Sequence, residues 1–205
     1  AGVVVRCFRQ PQHAPTAPEN PDFEDPATRA ALMALAGSLS PATASVDARA
    51  FVDWLDKQAA VNKARGIGTT GYCMGGPLVM RTAAAMPERI GAGASFHGGG
   101  LATDQPDSPH LLIPKMKAQF LIAIAGNDDQ RQPQVKDILR KAFADAHLPA
   151  EIEVYAGTKH GWCPPDARVY DHDQAEKAWG RLLALFERAL DYGQRAASGE
   201  HLTAR

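Results

Sequence analysis

The sequence predicts an α/β fold, a mostly parallel sheet with helices on both faces, in a single domain. Three observations predict it. Short apolar runs at Ile67–Tyr72, 92–96, 120–125 and 151–155 read as strands, and segments of helical periodicity alternate with them. The run 120–125 is continuously apolar, as a strand covered on both faces must be. A chain of 205 residues, 45% hydrophobic and 22% charged, suits one unit that buries its core without covalent staples.

The elements follow in order. Residues 2–8 contain three successive valines and read as a buried strand. Residues 9–25, with Pro11, Pro15, Pro18 and Pro21, read as a loop. Residues 26–37 form a short helix, with proline at its start and glycine at its end. Residues 46–61 repeat apolar side chains at helical spacing through Val46, Ala50, Trp54 with Leu55, and Val61. The strand Ile67–Tyr72 leads into a helix over 75–86 that stops at Pro87. Strand 92–96 ends at Gly98-Gly99-Gly100, and 101–114 is loop-like. After strand 120–125 comes a helix over 135–147, closed before Pro149, and then strand 151–155. Asp173 and Glu176 resemble a capping box. The helix it opens carries Trp179, Leu182, Leu183, Phe186 and Leu190 on one face. The domain is expected over 1–192, with 193–205 as a frayed polar tail. The absence of an initiator Met, and an opening directly in a strand-like run, lead us to expect that the natural protein begins earlier.

Composition excludes several classes. A formal net charge of -1 offers no basic field to nucleic acid or an anionic membrane. No apolar run approaches the roughly 20 residues needed to span a bilayer. The apolar opening is broken by Arg6, with no cleavage pattern after it, so it is not read as a signal peptide. Three cysteines cannot all pair and match no zinc spacing, which points to free thiols in a reducing, cytoplasmic setting. No metal or cofactor is expected. Gly66-Ile67-Gly68-Thr69-Thr70-Gly71 matches a dinucleotide fingerprint in letters alone, because no apolar strand precedes it and the motif is itself the strand.

The sharpest motif is Gly71-Tyr72-Cys73-Met74-Gly75-Gly76, a nucleophile elbow with cysteine in place of serine. A strand that turns abruptly into a helix strains its central residue, and flanking glycines remove side chains that would collide. The helix N-terminus favours thiolate over thiol at Cys73. The backbone N–H of Met74 would face a developing oxyanion. Taken alone, a cysteine in a glycine-rich turn reads as a buried small residue; the strand and helix around it favour the nucleophile.

Partners should follow in the order nucleophile, acid, histidine. Gly126-Asn127-Asp128-Asp129 follows a strand on the same rim. Asp128 is preferred as the acid over Asp129, and either could instead cap the next helix. His160 follows strand 151–155 in the loop Gly157-Thr158-Lys159-His160-Gly161-Trp162. His13, His147, His172 and His201 fit worse, while His97 follows a strand and could line the pocket. Cys163 reads as a buried small residue. Trp162 reads as packing or as a pocket wall.

Together the elbow, Asn127-Asp128 and Lys159-His160-Gly161 resemble the dienelactone hydrolases (carboxymethylenebutenolidases) of the α/β-hydrolase fold. The resemblance runs from the first residues to about Leu190. It implies hydrolysis of a small ester or lactone by a Cys73-Asp128-His160 triad through a thioester acyl-enzyme, with Met74 in the oxyanion hole. It also implies a cytoplasmic enzyme without cofactor, a monomer or small homo-oligomer. Three departures stand out. The family's initial strands are missing, and with them a second oxyanion donor. No arginine follows His160 until Arg168. Arg29 falls near the family's other carboxylate-binding arginine, but Met33 and Ala36 replace the aromatic residues expected after it. Candidate substrate contacts are therefore Arg29, His97 and Trp162. A rival reading is a catalytically silent relative that binds small molecules or senses redox state through Cys73.

Overall fold

A computed structural model describes residues 25–37 and 39–190. The expected strand over 2–8, almost all of the loop 9–25, and the tail 193–205 lie outside the described residues. Four strands, β1 (Ile67–Tyr72), β2 (Ile90–Phe96), β3 (Gln119–Ala125) and β4 (Ala150–Tyr155), pair in chain order, every pair parallel. Between and around them lie α1 (Pro26–Ala36), α2 (Pro41–Leu55), α3 (Gly75–Ala85), α4 (Gly126–Arg131), α5 (Val135–Asp145) and α6 (His172–Leu190).

The sheet divides two cores because successive side chains of a strand point to opposite faces. From β3, Phe120 and Ile122 enter one core with Val79 and Met80 of α3 and Leu139 and Phe143 of α5. Leu121, Ala123 and Ala125 enter the other, with Ala92, Ala94 and Phe96 of β2 and Leu182 and Leu185 of α6. Helices thus cover both faces, as expected, and a continuously apolar β3 serves two cores at once.

Three local expectations need correction. α2 starts at Pro41, earlier than its apolar spacing indicates, because Ser40 and Thr43 form a reciprocal capping box. Its packed side is the small stripe Ala44, Ala48 and Val52, whereas Val46 and Trp54 are 58% and 52% exposed. α6 begins at His172, one residue before the expected cap Asp173, and the Asp171 carboxylate accepts the Gln174 N–H at 3.1 Å. Its buried residues are Ala178, Leu182 and Leu185, with Trp179 and Leu183 about half exposed. The loop after β2 contains a short 3-10 helix, Pro109–Lys115, whose Ile113 is fully buried.

The functional consequence of the fold is a common rim. In parallel strands all carboxyl ends lie on one side, so the turns after β1, β2, β3 and β4 meet there. They carry Cys73, His97, Asp128 and His160.

Candidate active site

Cys73 sits between the end of β1 and the start of α3 with φ of 52°, a left-handed conformation that side chains other than glycine rarely adopt. Its N–H donates to the Phe96 carbonyl at 3.1 Å, and its own carbonyl accepts the Gly76 N–H at 3.1 Å. The glycines explain how the turn closes. A Cβ on Gly71 would stand 2.2 Å from the Gly75 carbonyl oxygen, and one on Gly76 would stand 2.4 Å from Ser95 Oγ. A Cβ on Gly75 would meet nothing within 4 Å, so the residues that must be bare are Gly71 and Gly76.

The Cys73 side chain is exposed to solvent, and the His160 ring is the group that most influences its sulfur. The His160 hydrogen bond does most to lower the thiol below its ordinary value of 9.0; partial burial opposes it, and the Met74 N–H also favours thiolate. His160 is raised to about 9, first by its bond to Cys73 and then by the bond to Asp128, against the cost of burial. Both shifts run toward the thiolate–imidazolium form of the pair.

The loop that presents His160 is tied to the turn that presents Asp128. The Thr158 hydroxyl donates to the Tyr155 carbonyl at 2.7 Å and accepts the Gly126 N–H at 3.2 Å. The Asn127 N–H donates to the Thr158 carbonyl at 3.2 Å, and Asn127 Oδ1 accepts the His160 N–H at 2.8 Å. Asp128 then reaches His160 Nδ1 through Oδ2 at 2.7 Å. Asp129 turns away and pairs with Lys136 at 2.7 Å. Asp128 lies in the first turn of α4, where a carboxylate suits the helix dipole. Sequence reasoning quotes Asn127 in a motif but gives it no role. Its signal is a short polar side chain just past a strand end, able to bond the backbone of a neighbouring loop.

The candidate substrate contacts fare differently. Trp162 is fully buried and stacks on Tyr155, with ring centroids 5.1 Å apart. It is packing, because the loop after β4 folds it under the rim rather than over it. His97 is 2% exposed, too enclosed to line an open pocket, and its ring lies edge-on to His160 at 5.0 Å. Burial, followed by the charge on His160, pushes its pKa down to about 4. Arg29 is exposed on α1, and no described hydrogen bond or ion pair joins it to this cluster. Cys163 is half-buried, and burial raises its thiol to about 12. It lines a cavity of about 190 Å³ with Tyr72, Phe96, Tyr170 and Trp179.

Among the described residues, no group of three or more His, Cys, Asp and Glu side chains could hold a metal ion, and no helix is long and apolar enough to cross a membrane. Comparison with known proteins places this geometry in context. A family model described as the dienelactone hydrolase family matches residues 8–190. A protein named Protein usf from Aquifex pyrophilus is 30% identical over 143 residues, covering 69% of this chain and 59% of the relative. A carboxymethylenebutenolidase from Rhodococcus opacus is 26% identical over 159 residues, covering 72% of this chain and 61% of the relative. The chain thus spans about three-fifths of these two relatives. Among solved structures, a dienelactone hydrolase-like promiscuous phosphotriesterase from metagenomic libraries superposes with a TM-score of 0.64 at 18% identity, covering 81% of this chain and 69% of that one. At that identity the match speaks to the fold.

Proposed function

The chain belongs to the dienelactone hydrolase family, and from that premise we propose that it hydrolyses small carboxylic esters or lactones through a cysteine nucleophile. The observation that carries this reading is the gathering of Cys73, Asp128 and His160 at one sheet rim, with the Asp128 carboxylate on His160 Nδ1. The rival, a silent binding or redox-sensing relative, has no comparable observation in its favour.

The steps follow from the contacts. Asp128 on Nδ1 leaves Nε2 of His160 for the sulfur. His160 holds the thiol proton, and the Cys73 thiolate attacks the carbonyl carbon, forming a carbon–sulfur bond. The carbonyl electron pair moves to oxygen, and the Met74 N–H is the donor assigned to that oxyanion in this reading. When the pair returns, the carbon–oxygen bond breaks and the alkoxide takes the proton from His160. A water then gives its proton to His160 and attacks the thioester. The sulfur leaves as thiolate and the acid is released. No redox co-reactant enters.

The test is a panel of aryl esters and small lactones assayed with the 205-residue chain. Turnover that disappears in Cys73→Ala and in His160→Ala is the expected result. Turnover that survives both changes, or none in the unaltered chain, would refute the reading.

A further inference from the structure

His97 is the residue that the steps above leave unused and that the molecule maintains at evident cost. Its backbone is left-handed, with φ of 41°, and both ring nitrogens are buried without a hydrogen-bond partner among the described residues. Strained backbone and unsatisfied buried polar atoms each cost about 1–3 kcal/mol, so a residue combining them needs a compensating reason.

The surroundings suggest the reason. Cys73 and His97 each follow a parallel strand by one residue, β1 and β2, whose last residues Tyr72 and Phe96 are register partners. The Cys73 N–H donates to Phe96, and the His97 N–H donates to Ala123 at 2.8 Å, so both residues are anchored by the sheet ladder. The His97 ring is then fixed between two others. It meets Trp162 edge-to-face at 5.2 Å and His160 edge-to-face at 5.0 Å. Trp162 is itself immobilised by its stack on Tyr155. The Tyr72 ring closes a further side at 5.9 Å. A rigid column of rings therefore runs from the core to the flank of His160.

His160 needs such a flank. A carboxylate bonded at Nδ1 fixes one nitrogen but leaves the ring free to swing about that contact, and its side chain is 33% exposed. We propose that His97 is a positioning residue for the hydrolysis: its ring, backed by Trp162, holds the His160 imidazole in the plane that aligns one nitrogen on Asp128 and the other on Cys73. The inference rests on the hydrolase reading for its kinetic consequence but not for its geometric one. A neutral ring suits this place, since a second cation there would repel the imidazolium that the mechanism forms.

Two substitutions separate the ring from its nitrogens. His97→Asn keeps a side chain that tolerates the left-handed backbone and removes the ring. His97→Phe keeps a planar ring and removes the nitrogens. Each is assayed for ester turnover and for the pH dependence of Cys73 alkylation by iodoacetamide. The alkylation needs no turnover, so it tests positioning even if the hydrolase reading fails. In His97→Asn, kcat is expected to fall about tenfold or more with KM nearly unchanged. Its alkylation midpoint is expected to move up toward the ordinary thiol value, because His160 spends less time at the sulfur. In His97→Phe both readouts are expected to return close to the unaltered protein. An unshifted alkylation midpoint in folded His97→Asn overturns the proposal, whether or not His97→Phe folds. Equal loss of kcat in both variants with unshifted midpoints overturns it as well, and assigns the nitrogens to substrate.

Discussion

Oδ2 of Asp128 lies 2.7 Å from Nδ1 of His160, although the two residues come from turns that follow different strands. The neighbouring Asn127 ties the same two turns through the His160 backbone, so the contact rests on a braced loop rather than on one side chain. That arrangement separates two carboxylates that are adjacent in sequence, because Asp129 is engaged by Lys136 instead.

Asp128→Asn is therefore expected to lower kcat/KM by about a hundredfold or more, since the amide no longer selects the productive tautomer or offsets the imidazolium. Asp129→Asn should leave kcat/KM within about threefold and cost about 1–3 kcal/mol of stability, since the part-buried Lys136 ammonium loses its charged hydrogen-bond partner. Steady-state kinetics and urea unfolding of the two variants check this. Equal kinetic losses would contradict the assignment.

The two described thiols should differ in reactivity. Cys73 is exposed and shifted toward thiolate by His160, while burial raises Cys163 to about 12. A lowered pKa keeps thiolate present at lower pH, so Cys73 should alkylate well below pH 9 and Cys163 slowly throughout. Peptide mapping after brief iodoacetamide treatment reads the ratio. His160→Ala should raise the Cys73 midpoint, and a midpoint unmoved by that change would contradict the pairing.

The elbow glycines make a steric prediction. Gly71→Ala brings a methyl group to 2.2 Å from a backbone oxygen that has nowhere to go. It should destabilise by about 2–4 kcal/mol, in the range of strained backbone and overpacked sites. Gly75→Ala has open space and should change stability by less than about 1 kcal/mol. Denaturant unfolding of the pair distinguishes them, and similar losses would show that this account of the turn is wrong.

His97 also makes a prediction in acid. Its ring takes up a proton near pH 6.5 when unfolded and only near pH 4 when buried, with His160, Asp128 and Tyr72 around it. The unfolded chain thus binds more protons between these values, and stability must fall as pH drops from 6.5 to 4. His97→Phe removes that component. Its unfolding free energy should fall less over the interval, by up to about 3 kcal/mol. Parallel curves for the two proteins would mean that His97 is not held neutral.

Much of this site was legible in sequence because parallel strands put their exits on one rim. Identifying 120–125 and 151–155 as strands was enough to bring Asp128 and His160 beside Cys73. The choice between Asp128 and Asp129 was harder, since adjacent residues of a short helix differ only in direction, which Lys136 settles from seven residues away. Helix faces depart from the apolar pattern where small residues pack. α2 packs against α3 and buries Ala44, Ala48 and Val52, and the large Trp54 that dominates an apolar pattern lies outside. The depth of His97 and Trp162 was not legible either. A residue after a strand can stand over the rim or fold beneath it, and the turn geometry decides.

The central claim is that the Cys73 sulfur forms a bond to the acyl group during turnover. Rapid acid quenching during hydrolysis of a slow aryl ester, followed by peptide mass mapping, measures this directly. The expected result is one acyl increment on the peptide carrying Cys73, formed as fast as the first product and absent from Cys73→Ala treated alike. Continued turnover with an unmodified Cys73 peptide, at times when the first product has already burst, would contradict it.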